Sequence, residues 1–243
     1  MWQGASLWLL AAERDVSEVQ PHAHHAIQIT FGLKGDFELY ADGSCLSGPI
    51  VAVDSDTRHT FRASGAAAFL FVTPESAAGI ALAAALFRES PLARLSGSAA
   101  MQALAALRHC LGDGGTDEAL RDLGRGIIAD LTRHAETDRA DPRILGMIAY
   151  AADNLENRVT LPLAAQRINL SPSRARHLFV AQTGLPFKTY VLWLRLERAV
   201  ASYAGGASLT EAAHQAGFAD SAHFSRTFRR TFGLPAAALR LAS

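Results

Sequence analysis

The sequence predicts an α+β chain, a small all-β half followed by an all-helical half. Three features carry that expectation. Between Ile27 and Pro74 turn residues recur at strand spacing; from Ser76 onward the apolar period lengthens to that of a helix; and near the C-terminus a short motif returns at an offset of 49 residues. With 49% hydrophobic and 19% charged residues, the 243-residue composition suits globular folding and excludes disorder, collagen-like repeats and low complexity. The longest apolar run, Ala77 to Phe87 broken only by Gly79, is far short of the roughly 18 residues of a membrane-spanning helix, so no membrane partner is expected.

Leu7 to Ala12 is apolar, but no basic region precedes it and Glu13 and Asp15 follow, so it is not read as a signal peptide and a cytoplasmic protein is expected. Strands are expected at Ile27–Gly32, Phe37–Tyr40, Ile50–Val53, His59–Arg62 and Ala68–Thr73. Lys34-Gly35-Asp36, Asp42-Gly43-Ser44, Ser47-Gly48-Pro49 and Ser64-Gly65 separate them, which describes a small barrel or sandwich. His22, His24 and Gln28 share strand parity with Ala26 and Thr30, while Ile27, Ile29 and Phe31 point the other way. That polar stripe faces water or lines a lumen. His25, on the opposite parity, reads as structural or solvent-facing. Glu38 and Tyr40 share one face, either as part of a pocket or as surface cross-strand neighbours. Cys45 and Cys110 stand far apart in no metal or redox spacing, which suits a reducing compartment without a disulfide.

Beyond Ser76 the stripe Met101, Leu104, Leu107 and Leu111 marks one helix, and Leu120, Leu123, Ile127, Ile128 and Leu131 mark another. Both would cover the sheet or pair with a second chain. The polar stretch Ala135 to Pro142 is the expected boundary, giving a β-rich segment (residues 1–75), a helical cover and linker (76–140) and an all-helical domain (141–243). Charge follows that division. Eleven Lys and Arg stand against seventeen Asp and Glu before residue 141, a net of −6, and twelve against six after it, a net of +6. A basic C-terminal half points toward a polyanion.

The repeat lies in this basic half: Phe179 and Gly184-Leu185-Pro186 return as Phe228 and Gly233-Leu234-Pro235. In the first copy Leu161, Ala164, Ala165 and Ile168 form a helix face, Asn169 takes a left-handed turn, and Ser171 caps a helix with Pro172 at its first position. That helix buries Ala175, Leu178 and Phe179 and turns Ser173, Arg174, Arg176 and His177 outward. The second copy packs Leu209, Ala212, Ala213 and Ala216, turns at Gly217, and uses Asp220 to cap a helix that buries Phe224 and Phe228. Its outward face holds Ser221, Ala222, His223, Ser225, Arg226, Arg229 and Arg230. Phe187 to Tyr203, with Tyr190, Leu194 and Ala201 among its apolar positions, reads as one long connecting helix. Each copy is a helix-turn-helix.

Ala165 to Gly184, Leu194 to Ala199 and Ala212 to Arg240 resemble the AraC-type transcription regulators. Asn169 stands where glycine is usual, His214 where a longer charged residue is frequent, and Ala236 where a polar residue is common. The resemblance implies two recognition helices entering successive major-groove segments of double-stranded promoter DNA. Ser173, Arg176 and His177 would read bases in the first segment, and Ser221, Ala222, His223, Ser225 and Arg226 in the second. Arg174, Arg229 and Arg230 would touch phosphates. It also implies an effector-sensing N-terminal domain, a homodimer formed through the helices of 76–134, and RNA polymerase as a candidate partner.

The N-terminal histidines resemble a cupin motif, so the fold expectation becomes a cupin-like β-barrel with dimerisation helices and a C-terminal all-α domain. Gln28 replaces the usual carboxylate and Gly35 fits; Gly48 and His59 stand at the spacing of the second motif, with Asp54, Asp56 and Ala63 where proline, glycine and asparagine are usual. The resemblance implies that His22, His24, Gln28 and His59 bind either a small-molecule effector or a transition-metal ion, zinc, nickel, iron or copper. In AraC-type sensors such histidines also occur as metal-free polar residues at the barrel mouth. A metal-dependent cupin enzyme with an attached DNA-binding module is the remaining reading. Gln28 disfavours it, because a neutral amide is no general base, and a non-enzyme is expected.

Overall fold

Whether a strand sits with one face or both faces covered decides how its sequence must read, and here the central strands are buried on both. The computed structural model describes residues 4–11, 19–35, 37–41, 43–113, 116–133, 135 and 140–236. Glu13, Asp15, Asp36, Asp42, Arg240 and half of the expected linker, 136–139, lie outside them. The chain divides into one unit of residues 1–138 with 229–243 and a second of residues 139–228.

In the first unit, β1 (Ala5–Ala11), β2 (Ile27–Gly32), β5 (Ile50–Val53), β7 (Ala66–Val72) and β8 (Leu92–Arg94) form an antiparallel sheet ordered β1-β7-β2-β5-β8. β3 (Phe37–Ala41), β4 (Ser44–Ser47) and β6 (His59–Ala63) form a second, ordered β4-β3-β6. Among the described residues these two sheets do not join into a closed barrel. Alternation splits the larger sheet cleanly. Ile27, Ile29, Phe31, Ile50, Ala52, Leu70 and Val72 form a core with α1 (Ala77–Leu86), α2 (Ser98–Asp113) and α3 (Asp117–Thr132), through Leu82, Leu104, Leu107, Ile127 and Ile128. Arg108 of α2 donates to the carbonyls of Leu33 (3.0 Å) and Gly32 (3.2 Å), tying that helix to the end of β2.

The opposite parity, Ser6, Trp8, Gln28, Thr30, Val51, Val53, Phe69 and Phe71, is buried as well. It faces the smaller sheet, where Phe61 meets Phe69 at 5.4 Å between ring centroids. The polar stripe of the sequence therefore lines an interior. Met101, expected in the α2 stripe, is 42% exposed instead, because it lies off the buried face, whose seam runs through Ala100, Ala103, Leu104 and Leu107.

The second unit contains α4 (Pro142–Asp153), α5 (Leu161–Arg167), α6 (Pro172–Thr183), α7 (Phe187–Ala204), α8 (Leu209–Gln215) and the first two turns of α9 (Ser221–Phe232). Ile144, Met147, Ala164, Ala165, Ala175, Phe179 and Tyr190 make one core, with Phe179 edge-on to Tyr190 at 5.2 Å. On α7 the buried face is Tyr190, Val191, Trp193, Leu196, Ala199 and Val200; Leu194 and Ala201 are half-buried. Ala212, Ala213, Phe224 and Phe228 are fully enclosed. Each such phenylalanine contributes about 1.5–3 kcal/mol of burial.

Candidate nucleic-acid interface and effector site

Both helix-turn-helix copies are set by local chemistry. Ser171 Oγ accepts from the Arg174 amide, Pro172 opens α6 and Gly184 ends it at φ 72°. The preceding turn passes through Asn169 at φ 54°, a conformation asparagine tolerates. α8 carries a reciprocal cap: Ser208 Oγ accepts from the Glu211 amide and Glu211 accepts from the Ser208 amide. Gly217 turns at φ 78°, where a Cβ would lie 2.4 Å from the Leu155 carbonyl oxygen. Asp220 Oδ1 accepts from the His223 amide at 2.6 Å.

With the apolar faces spent on the cores, Ser173, Arg174, Arg176 and His177 stand exposed on α6. On α9, Ala222, Arg226, Arg229 and Arg230 are exposed, whereas Ser221, His223 and Ser225 are half-buried and the His223 ring lies edge-on to Phe218 at 5.2 Å. Such faces offer guanidinium, imidazole and hydroxyl donors suited to phosphates and base edges.

In the first unit the four expected residues do come together. The His22 and His59 backbones bond to each other in both directions, at 2.9 and 2.8 Å. Their rings lie 4.3 Å apart, and His24 lies 5.0 Å from His59. One ring nitrogen from each of His22, His24 and His59 falls within 4.8 Å of the others. Each Nδ1–H donates to a carbonyl, of Gln20 (2.8 Å), Ala26 (3.1 Å) and Thr57 (2.8 Å) respectively. His24 Nε2 meets Gln28 Oε1 at 2.9 Å, and the Gln28 amide donates to Thr30 Oγ1 at 2.9 Å. His59 Nε2 is buried without a hydrogen-bond partner among the described residues. Trp8, Phe71 and Phe232 form the apolar wall, with Phe232 5.7 Å from the His24 ring. Burial, reinforced by the neighbouring imidazoles, lowers His22 to about 4 and His24 well below its usual value. Burial alone lowers His59.

His25 is buried, not solvent-facing. Its two nitrogens donate to Asp56 Oδ2 and Glu75 Oε1, both at 2.7 Å. Burial opposes its charge, but those two hydrogen bonds outweigh it and hold the imidazole up at about 9. The sequence held no local sign of this triad, since its members are 31 and 50 residues apart from His25. Asp56 stands at φ 57°, which explains a position where glycine is usual. Glu38 and Tyr40 point away from the interior on β3, whose buried positions are Phe37, Leu39 and Ala41; the Tyr40 hydroxyl donates to Glu38 at 2.6 Å. Cys45 and Cys110 are free thiols. No helix among the described residues is long and apolar enough to cross a membrane.

Residues 164–242 match the helix-turn-helix domain family. Over 104 residues the chain is 36% identical to the regulatory protein ada of Salmonella typhimurium, covering 42% of this chain and 30% of that protein. It is 35% identical over 98 residues to the transcriptional activator RhaS of Escherichia fergusonii, 40% of this chain and 35% of that one. YpdC of Escherichia coli K12, an uncharacterised helix-turn-helix regulator, is 35% identical over 88 residues, 35% of this chain and 30% of that one. The chain thus spans about a third of the length of the curated relatives it matches. Among solved structures it resembles ToxT of Vibrio cholerae O395 with a TM-score of 0.65, over 98% of this chain and 99% of that one, at 11% identity, a likeness of fold. Residues 164–242 are therefore an AraC-type helix-turn-helix DNA-binding domain.

Proposed function

We propose that the whole chain is a cytoplasmic, one-component transcription regulator. Its two helix-turn-helix copies bind promoter DNA, and a small effector is sensed in the histidine-lined interior of the first unit, read as a cupin-like sensor. One observation carries the DNA assignment: in both copies the caps and core fix a helix whose outward face keeps exposed arginines beside short polar side chains. Arg176, His177 and Ser173 are assigned to base edges in one groove segment, and Ser221, Ala222, His223, Ser225 and Arg226 in the next. Arg174, Arg229 and Arg230 are assigned to phosphates. The buried aromatic and imidazole lining supports the sensing role, and ToxT, a protein of similar fold, has been solved with an unsaturated fatty acid bound. Self-association would use α2 and α3, where Met101 is exposed, and RNA polymerase would be met at the promoter. A binding protein fits this interior better than an enzyme, because its central Gln28 is a neutral amide.

The test is selection of binding sites from a random duplex library with the full chain, followed by titration at fixed salt. Enrichment of a two-segment site bound about 10³-fold or more above random duplex is expected. Equal affinity for selected and random duplexes overturns the reading.

A further inference from the structure

On the interior side of the larger sheet, Trp8 Nε1 and His59 Nε2 are buried with no hydrogen-bond partner among the described residues. Their demands are opposite. An indole N–H can only donate. His59 Nδ1–H is consumed by the Thr57 carbonyl, which can only accept, so His59 Nε2 carries a lone pair and needs a donor. Gln28 meets neither demand: with its amide N–H turned to His24 Nε2 and its oxygen to Thr30 Oγ1, both of its contacts are ordinary hydrogen bonds.

A chain of rings joins the two unmatched atoms. Trp8 lies 4.6 Å from Phe71 and 5.1 Å from Phe232, Phe71 lies 5.2 Å from His24, and His24 lies 5.0 Å from His59. Apart from the His25–Glu75 pair, the buried polar side chains of this unit are Ser6, His22, His24, Gln28, Thr30 and His59, a set without carboxylate, ammonium or guanidinium. A buried donor or acceptor left unmatched is costly, so an occupant that matches both is favoured. Water matches the two atoms but not the rings, which take apolar surface. An anion brings acceptors alone, which suit Trp8 but are repelled by the His59 lone pair, and no fixed positive charge offsets its burial. A cation brings donors alone and leaves the Trp8 N–H unmatched.

We infer that the effector of this interior is an uncharged, ring-bearing molecule with a hydroxyl that donates to His59 Nε2 and a second oxygen that accepts from the Trp8 N–H, the class of a neutral phenol carrying a carbonyl. The inference rests on the sensing role proposed above and names the class of molecule sensed.

The experiment compares three probes of similar size on the full chain by equilibrium dialysis at slightly acidic pH: para-hydroxyacetophenone, its para-methyl analogue, which cannot donate, and para-hydroxybenzoate, which is ionised. One para-hydroxyacetophenone per chain is expected, with the methyl analogue and the benzoate each bound about tenfold more weakly. W8F, which keeps a ring and removes the N–H, should lose about tenfold for para-hydroxyacetophenone, with circular dichroism to establish its fold; the probe series on the wild-type chain stands without it. Uptake of none of the probes by the folded wild-type chain overturns the inference. So does benzoate bound as tightly as the neutral phenol, or equal binding of the hydroxyl and methyl probes. Titration of a selected duplex with each probe present separates this from the sensing role. Bound phenol that leaves duplex affinity unchanged removes the sensing role and keeps the site, whereas a duplex response to benzoate alone keeps the sensing role and overturns the assigned class.

Discussion

His25 offers a stability test whose sign the structure fixes. In the folded chain its imidazole is held at about 9 against an ordinary 6.5, because Asp56 and Glu75 each accept from one nitrogen at 2.7 Å inside a site that otherwise disfavours charge. The folded state therefore binds this proton more tightly than the unfolded one. Its contribution is complete below pH 6.5 and is lost as pH rises through about 9. Over that window the change amounts to about 3 kcal/mol. The assay is urea unfolding in a W193F background, which leaves the N-terminal Trp2 and Trp8 as the fluorescent reporters. Wild type should lose about 3 kcal/mol between pH 6 and pH 9.5, and H25Q should be nearly flat across the same range. At pH 6 H25A should cost about 3–5 kcal/mol, since it strips the imidazolium from a buried Glu75 carboxylate. Parallel pH dependence in wild type and H25Q would refute the triad as the source.

On the acid side the sign reverses. His22 lowered to about 4, with His24 and His59 also lowered by burial, means the unfolded chain takes up protons first, so the metal-free protein should lose stability as pH falls from 6.5 toward 4; an unchanged urea midpoint down to pH 4.5 contradicts this. On DNA, R226A should cost about 1–3 kcal/mol against selected sites and little against random duplex, whereas R174A should weaken both alike and shrink the salt slope by about one; titrations at several salt concentrations separate them, and the reverse pattern would exchange the two roles. G217A must place a Cβ 2.4 Å from the Leu155 carbonyl at φ 78° and should cost about 2–4 kcal/mol in thermal melting of the helical unit, while N169G, at φ 54°, should be close to neutral.

The helical half was the more legible because its determinants are local. Ser171 before Pro172, Asn169 and Gly217 at left-handed turns, and Asp220 three residues before the amide it caps are readable from sequence neighbours alone. In the sheet unit, β2 and β5 were readable from their apolar runs, but β1, β4 and β8 were not. Ala5–Ala11 reads in sequence only as part of an apolar stretch without strand alternation, and its ladder with β7 makes it a strand. Ser44–Ser47 looks like turn, and Leu92–Arg94 is three residues held by Val51 to Val53. β7 starts at Ala66 rather than Ala68, because alanines signal little β-propensity while their register against β1 and β2 extends the strand. Local parity brought His22, His24 and Gln28 together, and motif spacing added His59. Nothing local could reveal that Asp56 and Glu75 close around His25.

That last pair of outcomes turns on a single step along the chain. His24 and His25 are adjacent, both 3% exposed, yet one is driven far below its ordinary value and the other well above it. Burial is common to both, so depth is not what separates them. His24 points where the available partners are two more imidazoles and a neutral amide, a set that offers lone pairs and no negative charge. His25 points where two carboxylates arrive from distant segments. The result is a partition: the carboxylates balance one fixed positive charge on their own side, and the imidazole cluster is left neutral, its lone pairs available to a hydrogen-bond donor. A carboxylate placed among His22, His24 and His59 would instead favour their protonation. The neutral Gln28 leaves the charge of this interior to be set by what binds there.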